Sequence, residues 1–100
     1  MRGGNVYHCW TFDIDPNTTY DVMANHYNGQ AMFENASIYT TGACYVQFHN
    51  TSSDPIPIYE DEESLTMNNF RFRKLFITNT SASDIIHVRV VVYSKNEVGR

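Results

Sequence analysis

The first residues in this chain with the types and spacing for chemistry are Asp13, Asp15 and Asn17, the D-x-D-x-N opening of a calcium loop. Such a loop needs glycine at its sixth position for the sharp turn and a bidentate acid at its twelfth. Thr18 and Ala24 stand there. The run therefore reads as a strand end entering a turn at Pro16. Four histidines, His8, His26, His49 and His87, are the other candidate metal ligands, since a cupin-like barrel gathers histidines from several strands. No two are closely spaced and none has an acid at ligand spacing, so no metal site is expected. No G-x-S-x-G and no glycine-rich phosphate loop occurs. With no acid–base pair visible along the chain, the expectation is a protein without catalytic residues and without a cofactor: not an enzyme.

The remaining candidates are for contact. Arg71, Phe72, Arg73 and Lys74 interleave basic and aromatic side chains, a pattern that can serve single-stranded nucleic acid. Alternation places Arg71 and Arg73 on the face opposite Phe70 and Phe72, which is a strand with its core side in and its charges out. Those charges, with Tyr59 and Tyr93, are the expected contact residues for an acidic partner surface. Tyr7, Tyr20, Tyr27, Tyr39 and Tyr59 are possible stacking platforms for a saccharide, the alternative function. Four N-x-S/T triplets begin at Asn17, Asn35, Asn50 and Asn79. In a secreted protein they would be glycan acceptors; here they read as turns rich in Asn, Ser and Thr. Cys9 and Cys44 match no zinc spacing and are too few for a disulfide scaffold. They are expected to be buried free thiols, the alternative being a single bridge between them.

These residues need elements to hold them. Val6, His8, Trp10, Phe12 and Ile14 alternate with Tyr7, Cys9, Thr11 and Asp13, the period of a strand. Residues 19–27 resume the alternation, with a short helix as the other reading. Asn28-Gly29 signals a hairpin, with Gln30 to Phe33 returning. A run from Ser37 to His49 is broken at Gly42, which marks a bulge or bend. Ile56-Pro57-Ile58 fits a short edge strand, where a missing N–H is tolerated. Glu60 to Glu63 is an acidic turn. The stretch from Phe70 to Thr78 slips phase near Arg73, as a bulge would produce. In the last strand Ile86, Val88, Val90 and Val92 face in, and His87, Arg89 and Tyr93 face out. Trp10, Phe12, Val46, Phe48, Phe72, Ile77, Val88 and Val90 share the inward phase and form the expected core.

Six to eight short strands result, spaced by turn signals at roughly 8–12 residues, the pattern of an all-β antiparallel sandwich of the jelly-roll kind. One hundred residues make one domain, 1–100, with loose ends at 1–4 and 95–100. A net charge of −4 argues against general nucleic-acid binding, which needs a basic field. No apolar run approaches the roughly 18 residues of a membrane span, and the first residues lack the apolar core of a signal peptide. The expected place is the cytoplasm where the chain is made, or a particle assembled there.

The stretch from Ala43 to Tyr93 resembles the small β-sandwich proteins of tailed bacteriophage virions. The likeness is carried by Ala43-Cys44-Tyr45-Val46-Gln47-Phe48, a Pro-containing polar loop and an acidic segment from Glu60 to Ser64. Phe72 to Ser81 and a closing valine-rich strand complete it. It implies a virion structural protein, such as a capsid decoration (cement) protein or a head–tail accessory. Such a protein would form a homo-oligomer, a trimer by preference, and dock on the major capsid protein or another virion component. Open sheet edges and an excess of Tyr and Phe point the same way, toward self-association.

Overall fold

The computed structural model describes residues 6–27, 32–59, 62 and 64–94. Strand β1 (Val6–Ile14) follows the alternation read from the sequence: His8, Trp10, Phe12 and Ile14 turn inward, and Tyr7, Cys9, Thr11 and Asp13 lie exposed. A turn at 15–18 then crosses to the opposite sheet. Asn17 takes φ 53° there, a left-handed conformation that Asn tolerates, and its N–H donates to the Ser81 carbonyl at 3.0 Å.

Strand β2 (Thr19–Asp21) is short because Asp21 ends it by capping a helix, α1 (Val22–His26). Its carboxylate accepts from the Ala24 N–H at 3.1 Å. The alternation expected over 19–27 therefore stops at Asp21. Val22 and Met23, adjacent in sequence, are both buried, which a strand with one wet face does not allow. The Asn28-Gly29 turn, with Gln30 and Ala31 of the returning strand, lies outside the described residues, as do the ends at 1–4 and 95–100. Phe33 forms a lone bridge with Phe72 rather than a strand.

Six further strands follow: β3 (Asn35–Thr40), β4 (Cys44–Phe48), β5 (Ile56–Ile58), β6 (Ser64–Met67), β7 (Leu75–Asn79) and β8 (Ile86–Ser94). They form two antiparallel four-stranded sheets, in the orders β1-β8-β3-β6 and β2-β7-β4-β5. Every connection crosses from one sheet to the other except β4–β5. This interleaving is the eight-stranded jelly roll, two Greek keys packed face to face. Gly42 is the corner between β3 and β4, so the run expected from Ser37 to His49 is two strands in different sheets. A Cβ on Gly42 would lie 2.8 Å from the Cγ2 of buried Ile86. The phase slip near Arg73 is a bend between sheets, not a bulge: Phe72 bridges Phe33, and β7 begins at Leu75. Pro57 sits on an edge strand, as expected.

Both inner faces meet in one core. Val46, Phe48, Phe72, Ile77, Val88 and Val90 are buried in it, as their phase predicts. Trp10 and Phe12 are only half-buried, because β1 is an edge strand; His26 of α1 stacks on both rings and Tyr20 of β2 stacks on Phe12.

Candidate functional site

The sheet register sets the outward side chains of the β1-β8-β3-β6 sheet in rows. Thr11, Arg89, Tyr39 and Ser64 are directly opposite one another across all four strands. One step along, Asp13 stands opposite His87. Thr41 follows β3, its hydroxyl accepting from the His87 N–H at 2.9 Å. Together with Glu62 these residues line an open groove of about 760 Å³.

Asp13 and His87 are 74 residues apart in sequence, and Oδ1 of one lies 2.6 Å from Nδ1 of the other. A carboxylate only accepts, so Nδ1 carries the proton and Nε2 is the remaining polar atom of the ring. Both side chains are mostly exposed, so the pair contributes only about 0–1 kcal/mol to stability. Its value is geometric: it fixes two polar groups at one end of the groove. Beside them the Arg89 guanidinium lies over the Tyr39 ring, 4.7 Å from the centroid. Among the described residues no carboxylate pairs with Arg89. The sequence shows no acid–base pair along the chain, yet the fold makes one. The available signal was that Asp13 and His87 both fall in the outward phase of their strands; their pairing needed the β1–β8 register.

The five expected contact residues are divided between the two ends of the sandwich. Arg71, Arg73 and Lys74 lie exposed on the crossing from β6 to β7. Arg71 reaches Glu34 at 3.9 Å, and the Lys74 carbonyl accepts from the His49 N–H at the β4–β5 loop. Tyr93 is at that same end, half-buried and opposite Tyr7. Tyr59 follows Ile58, which pairs with Cys44 at the far end. Of the tyrosines considered as platforms, Tyr7, Tyr39 and Tyr59 are exposed. Tyr20 and Tyr27 are drawn into an aromatic cluster behind β1. There Phe12 stacks on Tyr20 with centroids 4.3 Å apart, and the Tyr20 hydroxyl lies 2.8 Å from His26 Nε2.

The histidines do not converge. His8 and His26 stack on either side of Trp10, His49 is exposed beside Phe70, and His87 is on the outer sheet face. Among the described residues no three His, Cys, Asp or Glu side chains are placed to hold a metal ion. The cysteines are both free, but only Cys44 is buried; Cys9 is exposed on the outer face of β1, because its phase is opposite that of Trp10. Of the N-x-S/T asparagines, Asn17 and Asn50 are exposed in turns, while Asn35 and Asn79 are buried at a strand start and a strand end.

No family model matches the sequence, and no curated protein matches it. The fold is similar to that of a protein from Bacillus endospore appendages, described as a family of disulfide-linked pili. The TM-score is 0.57 at 13% identity, over 96% of this chain and 92% of that one. It is also similar to part of CapF, a capsular polysaccharide assembling protein from Staphylococcus aureus. There the TM-score is 0.50 at 13% identity, and the match covers 99% of this chain but 29% of CapF. At this identity the likeness is one of fold. Neither neighbour is a bacteriophage protein.

Proposed function

We propose that the protein is a non-enzymatic structural subunit that assembles with copies of itself, using β1 as the joining edge. The observation that carries this reading is the contrast among the four edge strands. β2 and β5 have three residues each, β5 holds Pro57, and β6 has four residues. Short edges and proline are the usual protections against edge-to-edge pairing. β1 has nine residues, no proline, no lysine, and Asp13 as its one acidic residue. It pairs with β8 on one side and with no strand on the other among the described residues. Its alternate N–H and C=O groups are a ready template for a strand from a second copy.

The Bacillus neighbour, a pilus protein, supports the assembly reading at the level of architecture. The likeness to phage sandwiches supplies the finer form: a closed trimer docked on a virion shell, in which β1 of each copy meets a surface other than β1 on the next, since two β1 edges pairing with each other close a dimer, and the basic strip Arg71, Arg73 and Lys74 faces an acidic shell protein. Light scattering under reducing conditions is the test. The expected result is a mass that is a multiple of one chain's and rises with protein concentration. Cys9→Lys, which puts a charge on the joining edge, should return the mass to that of one chain while the chain still unfolds cooperatively, at a midpoint that no longer depends on protein concentration. A wild-type mass equal to one chain at every micromolar concentration would remove the proposal. A mass of three chains that stays constant supports the closed form over an open filament.

A further inference from the structure

The groove on the outer face of the β1-β8-β3-β6 sheet is not needed for edge-to-edge assembly, and its lining is not that of an apolar pocket. We propose that it is a binding site for a neutral saccharide. Ligand pockets for apolar molecules are lined mainly by hydrophobic side chains with a few polar groups. Here the proportions are reversed. The outward-facing lining is polar except for the Tyr39 ring; Phe12 and Val88 border it from strands whose side chains at those positions turn to the core.

The polar groups are of three kinds. Asp13 and Glu62 only accept, Glu62 with Oε1 already taken by the Tyr59 N–H; Arg89 only donates; Thr11, Thr41 and Ser64 do both, and His87 offers its Nε2. A sugar hydroxyl donates once and accepts twice, so a ring bearing several of them can satisfy this mixture. An anionic ligand drawn to Arg89 would meet two carboxylates in the same groove, and a cationic one would meet Arg89 itself. The balance of charge therefore selects a ligand without net charge.

The aromatic surface fits the same class. Tyr39 is 41% exposed. Its neighbour on β8, Arg89, covers one face of the ring, while its neighbour on β6 is Ser64, too small to cover the other. An exposed ring face flanked by hydrogen-bonding groups suits the apolar C–H face of a pyranose, with the hydroxyls at its rim reaching Asp13, His87 and Arg89. The His87–Asp13 contact holds one carboxylate oxygen and leaves the second to accept. These partners come from strands of one sheet, so the site is rigid before any ligand arrives, which lowers the ordering cost of binding.

The experiment is a titration of the isotopically labelled chain, followed by amide chemical shifts, with cellotetraose, maltotetraose and chitotetraose. Tetragalacturonate serves as the acidic control. The proposal expects at least one neutral oligosaccharide to move the amides of Thr11, Asp13, Tyr39, Thr41, His87 and Arg89. Tyr39→Ala and Asp13→Ala should each weaken that binding by about tenfold or more. Both side chains lie on the outer face away from the core, so the two variants should still unfold cooperatively with only a small shift in midpoint, which separates lost binding from lost folding. The proposal is overturned if no neutral probe binds at millimolar concentration. It is equally overturned if the shifts cluster instead at Tyr7 or Tyr59, if the variants bind as wild type does, or if the acidic control binds more tightly.

Discussion

Asn79 is fully buried at the end of β7, and its amide ties two crossings together. Its Nδ2 donates to the carbonyls of Ile14 and Asp84, at 3.0 and 2.7 Å, and its Oδ1 accepts from the Ser81 N–H at 2.9 Å. From sequence it read as a turn residue in a glycan-acceptor triplet; only the fold shows that it closes the β1–β2 and β7–β8 crossings. Cys44 and Cys9 divide in the same way. Alternation placed Cys9 opposite Trp10, which already implied exposure, but the general tendency of free cysteines to be buried outweighed it. Burial pushes the Cys44 thiol up to about 11 from its ordinary value of 9.0, with a Thr40 hydrogen bond pulling the other way. At neutral pH iodoacetamide should therefore modify Cys9 and spare Cys44 until the chain unfolds, a difference that peptide mass mapping reads directly. The same shift has a sign for stability. The unfolded thiol ionises more readily than the folded one, so its contribution is complete below about pH 9 and is lost as pH rises through about 11. Thermal stability should fall more steeply over that interval in wild type than in Cys44→Ala; equal slopes would contradict the assignment.

At the scale of elements, strands with one dry and one wet face were legible and those at boundaries were not. β8 was read residue by residue because it is the longest central strand, with Ile86, Val88, Val90 and Val92 all buried. The stretch after Tyr20 was not, because the Asp21 cap competes with a three-residue strand and wins through tertiary cover of Val22 and Met23. Gly42 was legible as a break but not as a change of sheet, since leaving a sheet and bulging within it have the same sequence signature. The structure makes its role specific. Gly42→Ala puts a methyl group 2.8 Å from Ile86 Cγ2, on a β-branched side chain that is itself enclosed. The crossing must shift, at a cost of about 1–3 kcal/mol, visible in denaturant unfolding. An unchanged midpoint would mean that the corner has room the packing does not show. The groove belongs to this scale too: Thr11, Asp13, His87 and Arg89 have the outward phase in the sequence, while Tyr39, Thr41, Glu62 and Ser64 carry no such signal, and no single strand contains the site. It exists only once β1, β8, β3 and β6 are in register.

The whole molecule is a jelly roll whose edges are unequally protected, and its account rests on that inequality. The architecture followed from strand count and turn spacing, while the strand order, which decides which edge is open, could not be read from either. With β8 central and β1 outermost, the alternate amides of β1 that do not bond to β8 face away from the sheet. Amide hydrogen exchange measured across a range of protein concentrations, under reducing conditions, examines those amides alone. If β1 joins subunits, their protection rises with concentration while that of β8 stays level. If the β1 amides exchange at the same unprotected rate in dilute and concentrated solution, with the mass that of one chain throughout, β1 is not the joining edge and the assembly reading fails.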